Sequence, residues 1–153
     1  MKVKSIEDGL EDRFWQHVNK DPLNYHWFIV DWKFSKDDTK ILMAMEENTI
    51  KGMMVVFKDS IVQVRGVREA VEVLLDQLDQ VEIEIMAPLD CEDLVLEKDD
   101  PGIRNEMFLM HLEKGEEIMQ REHEPVELSM DDVEQISEIM VESYPDWWAH
   151  MTP

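Results

Sequence analysis

The stretch Ile61-Val62-Gln63-Val64-Arg65-Gly66-Val67-Arg68-Glu69-Ala70 decides how this chain is read. Ile61 to Arg65 has the β-branched content of a strand, and the chain then passes through one glycine into a helical pattern. Val67, Val71, Leu74, Leu75 and Leu78 mark one apolar stripe, with Glu69, Glu72, Asp76 and Asp79 on the water-facing side. Such a junction can hold an anion. The first N–H groups of a helix lack intrahelical acceptors, and the macrodipole places positive charge behind them. Arg65 and Arg68 flank the glycine in an otherwise acidic chain, which fits an anion site. The competing reading pairs both arginines with Glu69, Glu72 or a neighbouring loop.

Upstream, Ser5-Ile6-Glu7-Asp8 has the form of a capping box, and Leu10, Phe14 and Val18 follow at helical spacing. Asp21-Pro22 supplies a cap and a first-turn proline for a second helix, with Leu23, His26, Trp27 and Val30 on one face and an end near Phe34. After a polar loop from Ser35 to Lys40, a three-strand meander is expected. Its strands run from Ile41 to Glu46, Met53 to Lys58 and Ile61 to Arg65, joined by a turn over 47–52 and a tight turn at Asp59-Ser60.

Downstream, Val81 to Ile85 alternates as a strand, Pro88 breaks it, and a short helix or irregular turn spans Cys91 to Glu97. Asp99 to Gly102 is a turn, and Asn105 to Leu112 is expected to be a strand with Phe108, Met110 and Leu112 on one face. An acidic connection leads to a short strand, Pro125 to Leu128. Ser129-Met130-Asp131-Asp132 then caps a helix that carries Val133, Ile136, Ile139 and Met140 to about Ser143. Tyr144, Trp147 and Trp148 stand beside the last residues, and three large aromatics there are expected to belong to a domain that continues.

A chain of 153 residues with 44% hydrophobic content is long enough for one domain with a real core, or a smaller domain plus a piece of another. No apolar run approaches the roughly 20 residues of a membrane helix, and the first residues lack the apolar core of a secretory signal. Cys91 is the only cysteine, which excludes an internal disulfide and a cysteine-based zinc site. A cytoplasmic protein is the expectation. The net charge of −21 repels nucleic acid and anionic membranes, so neither is expected as a partner. Residues 113–153 hold 12 acidic residues against 2 basic ones, which reads as a solvated acidic face before it reads as a docking surface.

The order helix, helix, three antiparallel strands, helix, strand, short helix, strand resembles the GNAT superfamily of acyl-CoA-dependent N-acyltransferases. In that family a strand–loop–helix carries Gln/Arg-x-x-Gly-x-Gly/Ala, whose backbone amides hold the coenzyme A pyrophosphate. Gln63 and Gly66 match it, whereas Arg68 stands where the family has a small residue. The resemblance therefore implies Gln63, Arg65, Gly66, Val67 and Arg68 as the cofactor-binding residues, for acetyl-CoA or another acyl-CoA. The Arg68 side chain is expected to occupy space that the pyrophosphate needs. Residues 125–136, continuing through Trp148, look like the opening of a fresh GNAT domain. The implied organisation is a degenerate N-terminal GNAT-like domain over 1–123 and the first strand and helix of a second over 124–153. This is the pattern of a tandem, glycine-N-acyltransferase-like protein.

Other chemistry is weaker. The histidines, His17, His26, His111, His123 and His150, form no helix-face pair of metal-ligand spacing, so no metal site is expected. His111 on a strand has the right unperturbed pKa for a general base, but a half-buried structural role is the plainer account. Glu82 and Glu84 share a strand face and could deprotonate an amine, as glutamates do in GNAT enzymes, although a solvated face explains them as well. Cys91 lacks a histidine in sequence context, and Tyr144 cannot be assigned the role of general acid. Trp15, Trp27, Trp32, Trp147 and Trp148, with Tyr25 and Phe28, could line an acyl or aromatic cleft, but helical spacing makes them core by default.

The expected fold is α/β or α+β, a mixed and mostly antiparallel sheet with helices on both faces. The expected role is the non-catalytic N-terminal part of an N-acetyltransferase-family protein, supporting substrate recognition or packing against a second GNAT-like domain. Were the loop functional, an acyl group would pass from acyl-CoA to an amine. The alternative is a non-enzymatic binding module, a homo-oligomer assembled through the aromatic tail.

Overall fold

The structure is a computed structural model that describes residues 1–79, 83–98, 103–107, 110 and 129–143. The chain divides into two compact units, Met1–Asn105 and Glu106–Pro153.

The first unit is built on β3 (Thr49–Phe57), which is buried on both faces along most of its length, as a central strand must be. It pairs antiparallel with β2 (Thr39–Glu46) on one side and β4 (Ile61–Gly66) on the other. β1 (Lys2–Ser5) adds antiparallel to β2, and β5 (Glu84–Met86) adds parallel to β4, giving the order β1-β2-β3-β4-β5. The link from β4 to β5 contains α3 (Arg68–Leu75), the crossover that a parallel pair requires.

Alternation along the strands sends Ile41, Met43, Met53 and Val55 to one face, where α1 (Glu11–Val18) and α2 (His26–Phe34) cover them with Phe14, Val18, Phe28 and Trp32. Ala44, Met54, Val56, Val62 and Val64 point to the other face, against Val71, Leu74 and Leu75 of α3 and Leu94 of α4 (Glu92–Leu96). Helices thus cover both faces of a mixed, mostly antiparallel sheet, the architecture expected from the sequence.

Several local expectations need correction. Residues 2–5 form a strand that sequence pattern does not announce. Only Val3 in it packs against core, and the pairing comes from β2. The capping box at Ser5 is present, with Glu7 N–H donating to Ser5 Oγ at 3.2 Å and Ser5 N–H to Asp8 Oδ2 at 3.0 Å, but it opens a single 3-10 turn, Ile6–Asp8, ahead of α1. The turn after β2 is Glu47-Asn48 alone, so Thr49 to Gly52 belong to β3, and a bulge at Ala44/Met45 takes up the register. The turn after β3 places both Lys58 and Asp59 at positive φ, matching the strand twist.

In α2 the buried face is Phe28 and Trp32, whereas Trp27 and Val30 are 47% and 41% exposed, and Leu23, which precedes the helix, is 39% exposed. The segment is apolar on nearly every side, so periodicity could not choose its inner face. Asp21 caps as expected, but for the turn before the helix, through Asn24 N–H at 3.3 Å. β5, Glu84–Met86, starts later than the strand expected over Val81 to Ile85 and lies last in the sheet among the described residues. Val81 and Glu82 fall outside those residues, as do 125–128 and the aromatics Tyr144, Trp147 and Trp148. Asn105, Glu106, Met107 and Met110 lie in no strand, and the remainder of 105–112 is outside the described residues.

In the second unit, Ser129 caps a 3-10 turn, Met130–Asp132, that leads into α5 (Val133–Ser143). Asp131 N–H donates to Ser129 Oγ at 3.2 Å, and the Ser129 N–H donates to Asp132 Oδ2 at 2.8 Å, which holds the Asp132 carboxyl below its usual range. Ile136 and Met140 are half-buried, whereas Val133 and Ile139 are 44% and 55% exposed.

Candidate functional site

The junction between β4 and α3 is shaped by two glycines that meet across the sheet. Gly66 pairs with Gly52 and has φ +144. A Cβ on Gly66 would overlap the Cα of Gly52 and stand 2.5 Å from the Lys51 carbonyl oxygen. A Cβ on Gly52 would stand 2.7 Å from the Ala70 Cβ of α3. The pair therefore lets β3, β4 and the first turn of α3 approach one another closely, which is a structural demand for glycine independent of any ligand.

Val67 caps α3 without a side-chain hydrogen bond, and its own N–H donates to the Lys51 carbonyl at 3.0 Å. Its amide is thus already in use. The N–H groups of Ala70 and Val71 both donate to the Val67 carbonyl, at 2.8 and 3.0 Å. The amides of Arg68 and Glu69 remain without an acceptor among the described residues.

The Arg68 side chain leaves the junction for α4. Nη1 donates to Asp93 Oδ1 at 2.7 Å and to the Asp90 carbonyl at 2.8 Å, while Nη2 pairs with Asp93 Oδ2. Its partner is thus an acidic residue on a neighbouring element rather than Glu69 or Glu72. The hydrogen bonds from Arg68 hold the Asp93 carboxyl below its ordinary value, and those to Asp93 bind the guanidinium more firmly to its proton. Gln63 and Arg65 belong to the opposite face. They alternate with Val62 and Val64 and lie across β3 from Val55 and Met53, on the α1–α2 side.

Pairing of β5 with β4 ends at Gln63↔Met86, while Val64, Arg65 and Gly66 continue to pair only with β3. The parallel strands therefore part at their carboxyl ends, the position at which open α/β sheets bind ligands. Arg65 sits at that parting. Its Nη1 donates to the Val64 carbonyl at 2.9 Å and to the Met86 carbonyl at 3.3 Å. Burial lowers the pKa of the Arg65 guanidinium, with the nearby Tyr25 opposing. Tyr25 in turn is raised by burial and by Asp21, and lowered by Arg65. The Tyr25 hydroxyl lies 3.2 Å from His17 Nε2, and the two rings meet edge to face at 5.2 Å. The structure therefore brings Arg65 of β4 near Tyr25, which in turn meets His17, with Gln63 on the same strand face as Arg65. Alternation in β4 announces Gln63 and Arg65 as neighbours on one face, but no sequence signal joins them to Tyr25 and His17.

Burial lowers the His17 pKa from the ordinary value of 6.5, and Lys20 adds to the effect. As pH falls through 6.5 the unfolded chain takes up a proton that the native state refuses, so native stability declines until the native histidine also titrates. Urea midpoints measured from neutral pH downward should show this decline. In His17→Gln the decline should be shallower, and an unchanged slope would remove His17 as its source.

The remaining candidates are dispersed. Cys91 is 1% exposed and packs with Leu94 and Val71, and burial pushes its thiol pKa up, the reverse of what a nucleophile needs. Glu84 shares the sheet face of Ile61 through the parallel register. Trp32 is core, donating its indole N–H to Glu11 Oε1 at 3.0 Å, and Trp15 stacks edge to face on Phe14 at 4.9 Å. His111, His123 and His150 lie outside the described residues, and no group of three or more metal-ligating side chains occurs among the described ones. No helix among the described residues is long and apolar enough to cross a membrane. Comparison of the sequence with known protein families and with curated proteins finds no match.

Proposed function

We propose that the first unit is a degenerate GNAT-like module, a non-catalytic part of acyl-CoA-dependent N-acyl transfer that serves substrate recognition or domain packing. Support comes from the sheet order with its parallel last pair, from α3 following directly on Gly66, and above all from the charge at that junction. Arg68 is neutralised by Asp93, and Asp90, Glu69 and Glu72 stand near it. A diphosphate brought to the Arg68 and Glu69 amides would meet net negative charge and find the guanidinium already committed. Two free amides do not offset that repulsion. The obstacle is electrostatic: the Arg68 side chain does not lie across the amides as the sequence suggested, but points to α4.

Thermal unfolding with acetyl-CoA tests this reading, because a ligand selective for the native state raises the melting temperature. The expected result is no shift at saturating acetyl-CoA. A saturable rise that disappears in a Gly66-junction variant such as Glu69→Pro would return the site to a working cofactor loop.

A further inference from the structure

Arg65 is half-buried in a chain with 36 acidic residues, yet none of the ion pairs among the described residues includes it. Only Nη1 is used, on two backbone carbonyls, which leaves the Nε and Nη2 donors without an acceptor among those residues. Two positions back, Gln63 is 4% exposed and its side-chain amide has no hydrogen-bond partner among them either. None of these unpaired atoms is fully buried, so the Gln63 amide and the Arg65 Nε and Nη2 stand on one strand face with donors that a ligand can reach. Tyr25 completes the set. In the tautomer that carries the His17 proton on Nε2, that N–H donates to the Tyr25 oxygen 3.2 Å away and the phenol O–H is left to donate elsewhere.

We infer that Gln63, Arg65 and Tyr25 form a binding site for the carboxylate of a small molecule, at the α1–α2 face where β4 and β5 part. The groups on offer are a planar guanidinium fork, an amide NH2 and a phenol O–H, all donors, with one positive charge. That set matches a planar monoanion. A phosphate dianion would leave one charge unmatched inside a strongly acidic protein. The site does not depend on the acyltransferase reading, since it lies on the sheet face opposite α3 and uses none of the α3 amides.

The test is a titration of the full chain with sodium acetate, followed by 1H–15N spectra of the Arg65 Nε–H and Gln63 side-chain NH2, against sodium chloride of matched ionic strength. Acetate is expected to move both signals saturably, with Arg65→Lys weakening the apparent affinity about tenfold and Gln63→Leu abolishing the Arg65 shift. Tyr25→Phe should weaken binding less than either. Equal shifts with chloride, or acetate binding unchanged in both Arg65→Lys and Gln63→Leu, would overturn the site. Tighter binding of inorganic phosphate than of acetate would overturn the carboxylate assignment. The wild-type titration and Gln63→Leu decide the matter even if Arg65→Lys does not fold.

Discussion

Gly66→Ala is expected to lose about 4 kcal/mol of stability or to fail to fold, combining backbone strain of about 2 kcal/mol with overpacking of similar size. The strain follows from φ +144, a region an L side chain rarely adopts, and the overpacking from the overlap of the new Cβ with Gly52 and the Lys51 carbonyl. Neither neighbour can give way cheaply, because both atoms are backbone of the central strand β3. With folding free energies of about 5–15 kcal/mol, such a loss is a large fraction of the whole. Urea unfolding followed by circular dichroism measures it, and a midpoint near that of the wild type would mean that β3 and β4 do not approach as described. The consequence for function is direct. Gly66 is the residue that most suggests a nucleotide loop, yet close packing alone requires glycine there, so its presence does not argue for a bound diphosphate.

Phe28→Ala should cost about 4 kcal/mol, the usual loss for removing a fully buried phenyl ring, whereas Trp27→Ala should stay within about 1 kcal/mol. Phe28 is 0% exposed and sits among Phe14, Trp32 and the β2–β3 methionines, with Tyr25 edge to face at 5.4 Å. Trp27 is the larger residue, but nearly half its surface meets water. The comparison uses two adjacent positions of one helix, so differences in helix propensity are small beside the difference in burial. If Trp27→Ala proved the more damaging of the two, the helix would be turned by about one residue from the orientation described.

Legibility tracked how one-sided each segment is. α3 has apolar residues on one side and acids on the other, and of its expected stripe Val71, Leu74 and Leu75 are buried and Leu78 partly so, while Glu69, Glu72, Asp76 and Asp79 are exposed; Val67, at the cap, is 49% exposed and does not belong to the stripe. α2 has no such asymmetry, and its inner face was misread. β1 contributes one partly buried valine and could not be seen until β2 offered it a ladder. At the candidate site, the strand, the glycine and the helix start were readable, but the destination of Arg68 was not. The guanidinium reaches Asp93, twenty-five positions on, because the crossover brings α4 beside the start of α3.

By itself, the order of residues determined the things that depend on neighbours along the chain. These are the meander, the glycine junction, the amphipathic α3, the cap that leads into α5, and a net charge of −21. Only the tertiary structure decided which face of α2 is core, that Gly66 answers to Gly52, that Arg68 is spent on Asp93, and that Arg65 lies near Tyr25 with its Nε and Nη2 lacking an acceptor among the described residues. The physical reason is the range of the interactions. Periodicity and capping act over a few residues, whereas close backbone approach and the pairing of a long charged side chain are settled by segments far apart in sequence, after the sheet has assembled.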